Sequence, residues 1–75
     1  MPTVEAKILV REDVYATLPQ HPERVRECVA AAEQAMNETA AEKGARIRET
    51  PRLVDQRSTG LGFFELLFHA DVEKL

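Results

Sequence analysis

The chain is 75 residues long, with 44% apolar and 31% charged residues, one cysteine and a formal net charge of -3. These proportions describe one small folded domain spanning residues 1–75 and exclude both a disordered tail and a two-domain enzyme. The acidic balance argues against a protein that coats DNA, because such affinity comes from cations neutralising phosphates, and the lone Cys28 excludes an internal disulfide.

Alternation comes first along the chain. In Thr3 to Arg11, Val4, Ala6, Ile8 and Val10 point one way and Glu5, Lys7, Leu9 and Arg11 the other, the pattern of a half-buried strand. Glu12 to His21 has Val14 and Leu18 four apart, which permits a helical turn, but Pro19 and Pro22 interrupt it, and the stretch is expected to be a connector.

Pro22 suits the first position of a helix, where its missing N–H has no partner to lose, and Glu23 meets the positive end of the helix dipole. At 100° per residue, Val25, Cys28, Val29, Ala32, Met36 and Ala40 form one apolar stripe, with Glu23, Glu27, Ala30, Gln34, Asn37 and Ala41 opposite it. Lys43 complements the negative end and Gly44 closes the helix, for a length of about 22 residues, or roughly 33 Å.

Beyond Gly44 the period changes to that of strands. Ala45 to Gln56 is rich in Arg, Val, Ile and Thr, Gly62 to Val72 is densely apolar, and Arg57 to Gly62 supplies turn residues, predicting an antiparallel hairpin with a loop of about four or five residues. Pro51 places the second strand at an edge, since proline cannot donate to a ladder. The last strand, apolar on both sides, belongs in the centre. The expected fold class is therefore α+β, with a β-α-β-β order, a three-stranded antiparallel sheet of order 1-3-2, and one long helix packed on one face.

A single helix covers a single face. Phe63, Glu65, Leu67, His69 and Asp71 of the central strand, with Leu9 beside them, are expected on the uncovered side, unless Val14, Tyr15 and Leu18 fold back over it. Burying one Phe or Leu is worth about 1.5 to 3 kcal/mol, comparable with the about 3 to 5 kcal/mol that so small a core supplies unaided. The expected function is a non-catalytic binding or assembly module that self-associates, as a homodimer or higher oligomer or with a protein partner, through Leu9, Phe63, Glu65, Leu67 and His69.

Other chemistry is sparse. Glu65, His69 and Asp71 spread over roughly 20 Å of strand, too far for one metal ion, and no metal or cofactor is implied. Cys28 lies in the apolar stripe as a small hydrophobe, His21 precedes the helix proline as a cap or exposed residue, and Ser58 and Thr59 are turn residues. Arg46, Arg48, Arg52 and Arg57 form the one basic concentration, interrupted by Glu49 and Asp55, and offer a nucleic-acid-binding alternative. MPTVEAKILVRED has no basic start followed by an apolar run, and no segment reaches the length of a membrane span, so a cytoplasmic location without a membrane partner is expected.

Two resemblances attach to this arrangement. Met1 and Pro2 followed by strand, helix and strand resemble the small tautomerases, which implies that removal of Met1 frees the Pro2 amine as a general base. The strand, helix, strand, strand order also looks like that of dodecins, small oligomers that store flavin stacked on a tryptophan; this chain has no tryptophan.

Overall fold

The computed structural model describes residues 2–75. Alternation holds Thr3–Arg11 extended as β1, with Val4, Ala6 and Val10 buried and Glu5, Lys7, Leu9 and Arg11 exposed. Glu12–Thr17 then forms a short helix, α1, followed by a single 3-10 turn at Leu18–Gln20. The expected connector is thus helical. Val14, Tyr15 and Leu18 pack against the core, and that burial offsets the weak propensity of so short a segment.

The long helix, α2, spans Pro22–Ala41, and its Ala32, Met36 and Ala40 are fully buried. It stops short of the expected Lys43 because the chain tightens there: Lys43 N–H donates to the Ala40 carbonyl at 2.9 Å and Gly44 N–H to Ala41 at 3.1 Å, both spanning three residues instead of four. Gly44 adopts φ 68, a left-handed conformation that a side chain resists, and turns the chain toward the sheet.

Among the described residues the sheet has four strands, not three. β4 (Phe63–Lys74) is central, β1 pairs with one side, and β2 (Ala45–Ile47) and β3 (Arg52–Ser58) both pair with it on the other, all antiparallel. The last strand is central as expected, but the order 1-3-2 is corrected to β1-β4-β2 with β3 also bonded to β4. The expected second strand is divided in two at Arg48–Pro51.

A side chain bridges the division. Beside the break the Arg48 N–H donates to the Asp71 carbonyl at 3.0 Å, while the Asp71 N–H, which has no backbone partner there, donates to Glu49 Oε1 at 3.1 Å. The same oxygen takes a hydrogen bond from Arg52 at 2.9 Å. A carboxylate thus replaces the carbonyl that an unbroken strand would present, and the buried Pro51, which has no N–H to place, sits in the gap.

The core lies on one side of the sheet. Val4, Ala6, Val10, Leu66, Phe68, Ala70 and Val72 face Ala32, Met36 and Ala40 of α2, and the alanines on both layers allow close approach. α2 packs over β1, β2 and β4, while every residue of β3 stays exposed. No helix among the described residues is long and apolar enough to cross a membrane.

Candidate functional site

Register decides which side chains share the open face. β1 and β4 pair with Glu5 opposite His69, Lys7 opposite Leu67, Leu9 opposite Glu65 and Arg11 opposite Phe63. Because strand side chains alternate, all eight stand on the side away from α2. Leu9 is diagonal to both Phe63 and Leu67, which Glu65 separates along their own strand. Leu9 is 61% and Phe63 40% exposed, whereas Leu67 is half-buried. The five residues expected at an interface, Leu9, Phe63, Glu65, Leu67 and His69, therefore lie together on one face.

Val14, Tyr15 and Leu18 do not cover that face. They pack with the core on the opposite side of the sheet, where the Tyr15 ring stacks on Phe64 at 3.9 Å between centroids and its hydroxyl donates to Gln56 Oε1 at 2.6 Å. The fold-back alternative is corrected accordingly: α1 leaves β1 toward the helix layer.

Three charge pairs on this face run across strands. His69 Nε2 lies 3.1 Å from Glu5 Oε2, Arg57 is 3.4 Å from Glu65, and Arg46 is 2.8 Å from Glu73. Such exposed pairs are worth about 0 to 1 kcal/mol, so they order the surface more than they hold the fold. Three of the four arginines of the basic concentration, Arg46, Arg52 and Arg57, are matched to carboxylates, with Arg52 2.9 Å from Glu49. Arg48 stands beside the strand break.

A second feature lies on the helix side. Since α2 does not extend over β3, a cleft of about 530 Å³ opens between α1, the first turns of α2, and β3. Leu66 and Phe68 contribute from the central strand, Pro51, Leu53 and Gln56 from the broken edge, Tyr15 and Leu18 from one side, and Val25, Cys28 and Val29 from α2. Val25, expected in the core, is 40% exposed here, and Leu53 is 48% exposed. Burial pushes the Cys28 thiol above its ordinary range, and neighbouring Glu27 adds to the shift, so the protonated, weakly nucleophilic form is favoured.

Sequence reasoning missed this cleft. Its one legible signal is Leu53 followed by Val54 beside Pro51, two exposed apolar residues on an edge strand that a covering helix would have buried.

The remaining candidates have local explanations. His21 precedes α2 without a side-chain cap and approaches Glu23 at 3.2 Å. Thr59 Oγ1 donates to the Phe63 carbonyl at 3.1 Å and Ser58 Oγ accepts from Gly60 N–H at 3.2 Å, so both hydroxyls shape the hairpin loop. Pro2 is exposed and its carbonyl accepts from Val72 N–H at 3.1 Å; Met1, whose removal the tautomerase resemblance implies, lies outside the described residues. No family model, no curated protein and no solved structure matches the chain.

Proposed function

We propose that the protein is a small non-catalytic assembly module that binds a second copy of itself through the open face of the sheet. One observation carries this reading: Leu9, Phe63 and Leu67 share a face from which α1 and α2 are both absent. Burying such side chains contributes about 1.5 to 3 kcal/mol each, a large addition for a domain of this size.

The charge pattern supports an identical partner. By register, Lys7, Arg11, Arg46, Arg52 and Arg57 share the face with Glu5, Asp55, Glu65, Asp71 and Glu73, and Arg48 stands opposite Asp71 in the same register, so both signs are interspersed on a chain whose net charge is -3. A face of mixed sign can set opposite charges against its own copy, and a two-fold contact brings the same patch together from both sides. The matching of Arg46, Arg52 and Arg57 to carboxylates weighs against the nucleic-acid alternative, since a phosphate would have to displace each carboxylate.

Leu67→Glu is the test. It is expected to lower the mass measured by light scattering across a dilution series while leaving the far-ultraviolet helix signal intact, because the side chain lies outside the α2 core. An unchanged mass, or a wild-type chain that is monomeric throughout the series, overturns the reading.

A further inference from the structure

The hydrogen bonds at the two ends of β1 reveal which of its backbone groups are left over. Val72 N–H donates to the Pro2 carbonyl and Glu12 N–H to the Gly62 carbonyl, and both pairs obey the register that joins β1 to β4. In an antiparallel pair the bonded residues alternate, so Val4, Ala6, Ile8 and Val10 spend their N–H and C=O groups on β4. Those of Thr3, Glu5, Lys7 and Leu9 point out of the sheet. β1 forms the outer edge there, nine residues long, with no proline and no bulge. Long straight edges of this kind are templates for another strand.

We infer that the outer edge of β1 pairs antiparallel with β1 of a second copy, in the register that sets Glu5 of each chain opposite Lys7 of the other. This contact uses the strand edge and does not rest on the face-to-face contact proposed above.

Charge selects both partner and register. A two-fold axis at Lys7 would oppose two lysines. An axis at Ile8 would set Glu5, itself 3.1 Å from His69 of its own chain, opposite Arg11 at the last residue of the strand and would leave Thr3 facing no strand residue. An axis at Ala6 makes the Glu5 and Lys7 attraction twice and sets Thr3 opposite Leu9, engaging every outward backbone group of Thr3, Glu5, Lys7 and Leu9 in about eight hydrogen bonds. On the helix side the same axis places Val4 opposite Ile8, the one half-exposed residue among the inward-facing apolar side chains of β1.

Charge exchange tests the pairing on the full chain. Glu5→Lys and Lys7→Glu singly oppose like charges at two symmetric places and are expected to raise the concentration of half-association at least about tenfold in sedimentation velocity. The double variant Glu5→Lys with Lys7→Glu restores opposite charges and is expected to return near the wild-type value. Lys7→Pro removes an outward N–H without touching a bond to β4, so it is expected to weaken association at unchanged far-ultraviolet circular dichroism. If Lys7→Pro fails to fold, the charge exchange alone decides.

Single variants that associate like wild type, or a double variant no better than either single one, overturn the edge pairing. Loss of association in Leu67→Glu alone, with all Glu5 and Lys7 variants unchanged, overturns the edge pairing and leaves the face contact standing. The reverse pattern overturns the face contact only.

Discussion

The two edges of the sheet are built oppositely around the same central strand. On one side β1 runs straight for nine residues and pairs residue for residue with β4. On the other the chain is divided at Arg48–Pro51, and its second piece carries an irregularity between Leu53 and Asp55 where Val54 is the extra residue. A prolyl ring, a bulge and a row of arginines make the broken edge a poor template for another strand, while β1 has neither proline nor bulge and only Glu5, Lys7 and the terminal Arg11 to discourage one. Where a chain leaves one edge regular and interrupts the other, the regular edge is the place to look for a partner.

The largest test strikes the strand that both edges share. Phe68 stands between Ala6 and Leu53, is 3% exposed, and packs within the α2 core. Phe68→Ala is expected to cost about 3 to 5 kcal/mol, enough to unfold most of a domain this small, read as lost cooperativity in urea denaturation. A loss below about 1 kcal/mol would mean that the two edges do not depend on a common core.

An intermediate effect separates the edges. Glu49→Ala strips the Asp71 N–H of its acceptor at the break and is expected to destabilise by about 1 to 2 kcal/mol, measured as a shifted urea midpoint. Amide exchange at Asp71 is expected to quicken while the β1 amides bonded to β4 keep their protection. Unchanged exchange at Asp71 would show that the carboxylate does not stand in for a strand carbonyl.

The smallest effect concerns the charged surface. Arg57→Ala removes the 3.4 Å pair with Glu65 on an exposed part of β3 and is expected to change stability by about 0.5 kcal/mol or less. A loss above about 1 kcal/mol in the same urea titration would make this pair a structural strut of the broken edge.

Much of the architecture was legible because it rests on short-range periodicity. The alternation in Thr3 to Arg11, the apolar stripe through Ala32, Met36 and Ala40, and the turn residues before Phe63 each announce an element, and the apolar character of Phe63 to Val72 places that strand in the centre. The open-face group of Leu9, Phe63, Glu65, Leu67 and His69 followed from the same parity once β1 was set beside β4.

What tertiary structure alone decided depends on contacts between distant residues. Proline at position 51 marks an edge, but the division of the strand depends on Glu49 reaching the Asp71 N–H across the chain. The turn from Glu12 to Thr17 becomes a helix on the α2 side because Phe64 offers a ring for Tyr15 to stack on. Val25 surfaces in the cleft because α2 lies over β1, β2 and β4 and stops short of β3, a matter of how one rigid cylinder sits on a sheet wider than itself. Periodicity tells each segment which of its sides is apolar; only packing tells that side what it will meet.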